Sequence, residues 1–304
     1  MKLKTQNILT LDELSKKEFN GVIDYAIKLK KEFKKSGNSP ILKNKSLTMI
    51  FQKPSTRTRI SFEIGMTQLG GAVVNLSSND MQLSRGETIE DTAKTLSRYT
   101  DCIMARVYDH SILENLAKNA TIPVINGLSD SYHPCQILAD FVTIKEKKKK
   151  ISGLKIAWIG DGNNVCNSML IGAGLAGCKI SIATPKGFEP FKNIVKNVSA
   201  LTDVELTNDP SRTIADADVV VTDTFDSIHN TDKNRIKKFL PKFQVNSKLM
   251  TLANSEAIFM HCLPAKRDQE VTSSVIDGPQ SVVWDEAENR LHSQKALLAS
   301  LIRA

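Results

Sequence analysis

The sequence predicts an α/β protein of two domains, each a parallel sheet covered by helices, on three observations. Its 304 residues exceed what one hydrophobic core usually organises. Short runs rich in β-branched residues recur roughly every 25–30 residues. Helix-period stretches lie between most of these runs, and strand alternating with helix builds a parallel sheet clothed on both faces.

In the first half, strands are expected at 47–51, 72–76, 102–106 and 122–125. Helices are expected at 56–69, 88–98, 111–118 and 136–150, the last ending in a lysine block that suits a helix C-terminus facing water. Ile151-Ser152-Gly153 then marks the boundary between a first domain, 1–150, and a second, 151–284. The second half offers strands at 155–159, 179–183, 204–206, 218–222, 257–261 and 281–284, with a helix over 168–176. A final helix over about 285–304 carries acids in its first turn and Leu291, Leu298 and Leu301 on roughly one face, so it can pack back on the first domain.

With 41% hydrophobic and 24% charged residues, the chain has material for real cores and no charge excess of the disordered kind. The apolar run 169–178 stops at Lys179, short of the roughly 18 residues a spanning helix needs, which excludes a membrane span. The first residues turn polar at once, without the apolar core of a secretory signal, so a cytoplasmic location is expected. The cysteines Cys102, Cys135, Cys166, Cys178 and Cys262 are scattered with no CxxC pair, which points to reduced thiols. A net charge of +8 could signal nucleic acid, but Lys145 and Lys147 to Lys150 form one local block and aromatics at 6% are too sparse for stacking platforms. An anionic small substrate fits better.

Ligands of open parallel sheets bind beyond the carboxyl ends of the strands, so the loops that follow strands carry the chemistry. After Phe51 come Ser55, Thr56, Arg57, Thr58 and Arg59 at a helix start. Capping explains the hydroxyls. It does not explain two arginines in the first turn, where each opposes the helix dipole by about 0.3–1 kcal/mol. An anion seated on the free amides reverses that sign, and amides, hydroxyls and guanidinium together make a phosphate cradle. Arg106 closes a buried strand, where a charge needs an acidic or phosphate partner. His133-Pro134-Cys135-Gln136 puts proline at the first helical position, with a titratable side chain before it and an amide beside it.

In the second half, Gly160-Asp161-Gly162-Asn163-Asn164-Val165 resembles a dinucleotide turn, but Val165 replaces the third small residue and the strand ending at Ala183 is followed by Thr184 rather than an acid. Nicotinamide chemistry is therefore not expected, and no cofactor is called for. Asp223 follows the strand 218–222, and His261-Cys262-Leu263-Pro264 the strand 257–261. Neighbouring His and Cys hint at metal, yet no other ligand pair has workable spacing, so no metal is expected. A buried, purely structural Cys262 remains an equal reading.

Taken together, these residues resemble the aspartate/ornithine carbamoyltransferase family, and its ornithine branch in particular. The phosphate motif Ser-Thr-Arg-Thr-Arg stands at Ser55 to Arg59 and runs on into Ser61-Phe62-Glu63. His-Pro-x-Gln stands at His133 to Gln136, Phe-Met-His-Cys-Leu-Pro at Phe259 to Pro264, and Val282 to Arg290 continues the likeness. The resemblance implies that the first domain binds carbamoyl phosphate, the second binds L-ornithine, and the active site lies in the cleft between them. The family moves the carbamoyl group to the δ-amine and releases phosphate and citrulline, in arginine biosynthesis or, reversed, in arginine catabolism.

By the same resemblance, Arg106, His133, Gln136, Cys262 and Arg290 are catalytic, and Ser55, Thr56, Arg57, Thr58, Pro134, Cys135 and Leu263 join them around carbamoyl phosphate. Gln82 matches a position that reaches a neighbouring subunit's site, which implies a homo-oligomer, a trimer or a multiple of trimers. Asn164, Asp223, Ser227 and Ile228 match ornithine positions. The branch usually reads Ser-Met-Gly where this chain reads Ser227-Ile228-His229, which removes a glycine's freedom from a loop that closes over substrate. The competing readings are a carbamoyltransferase for putrescine, an acylated ornithine or aspartate, and a catalytically silent binding protein on the same fold.

Overall fold

A computed structural model describes residues 1–77, 86–226 and 234–302. The chain opens with α1 (Lys16–Ser36), which the sequence reading passed over although its start is legible: Ser15 accepts from the Glu18 amide and Glu18 reaches back to Ser15, a capping box. Then come β1 (Ser46–Phe51), α2 (Thr56–Gln68), β2 (Ala72–Ser77), α3 (Ile89–Tyr99), β3 (Cys102–Arg106), α4 (His110–Asn119), β4 (Val124–Leu128) and α5 (Pro134–Lys148). The strands form a parallel sheet in the order β2-β1-β3-β4. The centre of this sheet is apolar on both faces, with Leu47, Met49, Ile103 and Met104 fully buried.

The second sheet follows with β5 (Lys155–Ile159), α6 (Asn164–Ala176), β6 (Lys179–Ala183), α7 (Lys192–Ser199), β7 (Val204–Thr207), α8 (Pro210–Ile214) and β8 (Val219–Thr222). The short helices α9 (Ile236–Phe239) and α10 (Ser247–Met250) lead to β9 (Ile258–His261), α11 (Ser273–Ile276) and the long α12 (Val283–Leu301). Its strands are parallel in the order β7-β6-β5-β8-β9. Every residue of α6 is buried, which is why its sequence lacks a polar face. Phe225, Phe239 and Phe259 anchor the core of this unit.

The chain divides into two compact units, Met1–Val142 with the segment from Glu288 onward, and Thr143–Ala287. The division falls inside α5 and again inside α12, rather than at the polar Ile151-Ser152-Gly153 stretch. Two strand expectations need correction. The strand expected at 122–125 begins later, at Val124, because Pro123 has no amide to give and offers only its carbonyl, to Ile103 at 2.9 Å. The strand expected at 281–284 is absent: Ser281 makes a single bridge to Phe259, and the chain enters α12 at Val283, favoured by Asp285 and Glu286 in its first turn. Among the described residues no helix is long and apolar enough to cross a membrane.

Candidate active site

In each sheet the strand order reverses at one place, and the loops at that place open a crevice at the carboxyl ends of the strands. In the first sheet this is between β1 and β3, whose last residues, Phe51 and Arg106, lie side by side. The Gln52 amide donates to the Arg106 carbonyl at 2.9 Å, fixing the start of the loop into α2. Ser55 caps α2 from extended backbone and accepts from the Thr58 amide at 3.3 Å. No acid stands in the first turn of α2, and Arg57 is half-buried beside the buried Thr58. The helix start thus keeps its arginines with no acid in its first turn to offset them, the pattern on which the sequence reading rests its expectation of an anion. Lys53, which sequence reasoning missed, adds a further cation: burial and the Arg106 charge push its ammonium below the usual range.

His133 sits directly before α5 and is 5% exposed. Burial holds its imidazole well below the usual range, and the charges of Arg290, Arg106 and Arg57 push the same way. Three guanidinium groups from distant parts of the sequence therefore converge on one neutral histidine. Arg290, itself 3% exposed, donates to Gln136 Oε1 at 2.7 Å and to Thr58 Oγ1 at 3.2 Å, so it ties α12 to the starts of α5 and α2. Asp140, one turn beyond Gln136 and buried, accepts from Gln136 Nε2 at 2.8 Å. That bond fixes the amide with its oxygen toward Arg290. The sequence signal for Asp140 was present: an acid four residues after Gln136, set between the apolar runs Ile137-Leu138-Ala139 and Phe141-Val142. The Cys135 thiol donates to the Asn126 carbonyl at 3.3 Å and is pushed up to about 12 by burial, against the opposing pull of the Arg290 charge.

In the second sheet the reversal lies between β5 and β8. Gly160 has φ +135°, and a Cβ on Gly162 would meet the Pro190 nitrogen at 2.3 Å, so the glycines serve a tight turn under a crossing chain. Asn163 caps α6, accepting from the Val165 and Cys166 amides, while its Nδ2 donates to Asp223 Oδ2 at 2.7 Å. Sequence reasoning singled out the next residue, Asn164, which is buried at the same helix start. Asp223 Oδ1 receives the Cys262 thiol at 3.2 Å and the Thr224 amide at 2.7 Å. Asp161, beside this cluster, pairs with buried Arg235, which also donates to the Phe225 carbonyl at 2.7 Å.

The fold supplies the third ligand that sequence spacing did not offer, since atoms of Asp223, His261 and Cys262 lie within 4.8 Å of one another. His261, however, accepts from the Leu263 amide at Nδ1, 2.9 Å, and faces Glu270 through Nε2 at 3.2 Å, in a site with no exposure. Both ring nitrogens are thus engaged, and the bond at Nδ1 shapes the turn in which Leu263 takes φ +57°. The arrangement suits a held turn better than a cation. Gln82, Ser227, Ile228 and His229 lie outside the described residues.

An anion cradle at one sheet's reversal and an acid-centred polar cluster at the other's define a class: a two-domain α/β enzyme that handles a phosphorylated compound and an amine-bearing partner. Residues 6–146 match the family model described as aspartate/ornithine carbamoyltransferase, carbamoyl-P binding domain, and residues 152–301 match its Asp/Orn binding domain. The chain belongs to the aspartate/ornithine carbamoyltransferase family. It is 58% identical to an ornithine carbamoyltransferase of Cenarchaeum symbiosum over 99% of both chains, and 50% identical to one of Methanosarcina acetivorans over 98% of this chain and 99% of the relative. The solved ornithine carbamoyltransferase from Pyrococcus furiosus superposes with a TM-score of 0.95 at 49% identity, covering 99% of this chain and 98% of its own.

Proposed function

We propose that the chain transfers the carbamoyl group of carbamoyl phosphate to the δ-amine of L-ornithine, giving L-citrulline and phosphate. The observation that carries this reading is the convergence of Arg57, Arg106 and Arg290 on neutral His133 beside the α2 helix start. The phosphate rests on Ser55, Thr56, Arg57 and Thr58, where helix amides and a guanidinium meet an anion. Amine attack builds charge on the carbamoyl oxygen, and Arg106, His133 and Thr58 donate to it; one such donor is typically worth a few kcal/mol. His133 does this as a neutral imidazole, because burial among three cations keeps it unprotonated. The Gln136 oxygen, held by Asp140, accepts from the carbamoyl amide, with Pro134, the Cys135 main chain and Leu263 lining the group. No covalent enzyme intermediate is needed: as the C–N bond forms and the C–O bond to phosphate breaks, the leaving phosphate takes the electron pair of that bond and the proton that the attacking amine gives up.

Asp223 with Ser227 takes the α-ammonium of ornithine, Asn164 the α-carboxylate, and Ile228, Cys262 and Leu263 flank the side chain. The names of the relatives support ornithine as the acceptor. We place the reaction in arginine biosynthesis or its reverse, in the cytoplasm. The carbamoyl phosphate domain is the first unit, Met1–Val142 with the segment from Glu288 onward, and the ornithine domain is Thr143–Ala287. The chain works as a homo-oligomer, a trimer or a multiple of trimers: Ile60 and Ile64 of α2 and Val74 of the edge strand β2 are exposed apolar residues suited to a second copy, and Gln82 follows β2 in the sequence.

The test is carbamoylation by the purified protein with ornithine, putrescine, N-acetylornithine and aspartate offered in parallel. Citrulline is expected to dominate, and an Arg57→Ala protein to need far more carbamoyl phosphate. A faster reaction with another amine overturns the acceptor, and unchanged carbamoyl phosphate binding by folded Arg57→Ala overturns the cradle.

A further inference from the structure

His110 plays no part in the chemistry above, yet it touches the turn that delivers His133 at three points. Its Nδ1 lies 2.9 Å from Ser129 Oγ. Its ring meets Tyr132 edge-on with centroids 4.9 Å apart. Its amide donates to Asp130 Oδ1 at 3.2 Å. The turn is closed on itself, with the Ser129 amide donating to the Tyr132 carbonyl at 2.9 Å and the Tyr132 amide to Ser129 Oγ at 3.2 Å. His133 is the next residue along the chain.

We propose that His110 is a positioning residue for carbamoyl transfer: it holds the Ser129–Tyr132 turn from outside and thereby sets where His133 meets the carbamoyl group. This rests on the reading of His133 given above. The direction of the key hydrogen bond follows from its neighbours. Ser129 Oγ already accepts the Tyr132 amide, and its hydroxyl proton can go to His110 Nδ1 at 2.9 Å or to the Tyr132 carbonyl at 3.5 Å. We assign it to the shorter contact, which makes Nδ1 the acceptor of a neutral imidazole. Protonation of Nδ1 forces the Ser129 hydroxyl to turn, so that Oγ accepts from both His110 and the Tyr132 amide and its own proton is left to the Tyr132 carbonyl at 3.5 Å, which reshapes the turn. Asp109 and Glu114 of its own helix segment, Asp130 of the turn and Glu13 of the N-terminal segment all face the ring and favour the charged form. Burial outweighs them and holds the imidazole below its usual range, which keeps the acceptor in place at neutral pH.

The test compares His110→Phe, which keeps a ring against Tyr132 but has no acceptor, with His110→Asn, whose amide oxygen can stand where Nδ1 stood. Phe is expected to raise KM for carbamoyl phosphate about fivefold or more, with KM for ornithine and the Kd of inorganic phosphate within about twofold of the parent. Asn is expected to restore KM at pH 8 and to remove the extra rise that the parent shows on acidification. The His133 imidazole NMR signal should shift in the Phe protein and return in the Asn protein. That signal is independent of activity, so a parent that makes no citrulline overturns the carbamoyl reading, whereas a His133 signal indifferent to His110→Phe overturns the positioning role. So does an equal loss for ornithine and phosphate, or an Asn protein no better than Phe. If the Phe protein does not fold, His110→Ala is read against Asn by the same criteria.

Discussion

Replacing Arg290 by methionine keeps an unbranched apolar stem and removes the guanidinium that joins Gln136 to Thr58. Both partner oxygens are buried, and losing a donor from each leaves about 1–3 kcal/mol of unsatisfied polarity apiece. The native protein should therefore lose about 2–6 kcal/mol of stability in denaturant titration. The catalytic loss is separate. Arg290 aligns Gln136 and Thr58, the latter a donor to the carbamoyl oxygen in the mechanism above, and losing one preorganised donor from developing oxyanion charge costs about 100- to 1,000-fold in kcat, so citrulline formation should fall by up to that factor in protein shown to be folded. A third readout is His133. Arg290 is the leading charge that keeps it neutral after burial itself, so the imidazole should titrate at higher pH in Arg290→Met while staying below an exposed histidine. A folded variant with kcat within about threefold of the parent, and with His133 unmoved, would refute the placement of Arg290 beside the reacting group.

Asp223→Asn removes the charge that Asn163 and Cys262 orient. A lost charge-assisted hydrogen bond of about 1.5–3 kcal/mol predicts a rise of about 10- to 150-fold in KM for ornithine, with KM for carbamoyl phosphate nearly unchanged; an equal rise in both would count against it. The attacking amine must be neutral, and an ammonium of this kind has a pKa of about 10.4, so kcat/KM for ornithine should climb close to tenfold per pH unit from mildly acidic pH. A flat profile with chemistry rate-limiting rejects this. Burial pushes the Asp161 carboxyl up to about 6 against the opposing pull of Arg235. The folded state then holds that proton more tightly than the unfolded chain, so the stabilisation from this group is complete below the ordinary value of 3.8 and is lost as pH rises through about 6. Relative to Asp161→Asn, the parent should lose unfolding free energy on the order of 1 kcal/mol between pH 5 and pH 8. A pH-independent difference defeats it.

Much of the fold was legible because buried parallel strands advertise themselves as short β-branched runs. β3, β5 and β6 fall where the sequence places them to the residue. The failures have local causes. Val282, Val283 and Trp284 look like a strand, but the pairing with β9 stops at Phe259, which the Val282 amide meets at 3.0 Å, and the acids behind them start a helix instead. The helix α1 is legible only from the capping box of Ser15 and Glu18, since it precedes the first strand and lies outside the alternation of strand and helix on which the reading rests. In the site, helix-start chemistry revealed Ser55 to Thr58 without any tertiary information. The bonds from Arg290 to Gln136 and Thr58, 154 and 232 residues away, were beyond any local pattern. So was the choice between Asn163 and its neighbour: two adjacent asparagines look alike until the backbone shows which one caps the helix and which acid it meets.

The return of α12 has a consequence for how the protein is made. The first unit takes in the segment from Glu288 onward, so a ribosome that has delivered the first 142 residues has not yet made the arginine that completes their cluster. The entire second unit must emerge first. Until then Gln136 and Thr58 lack their shared donor, and the nascent N-terminal half waits as an unfinished catalyst that cannot act before its partner unit exists.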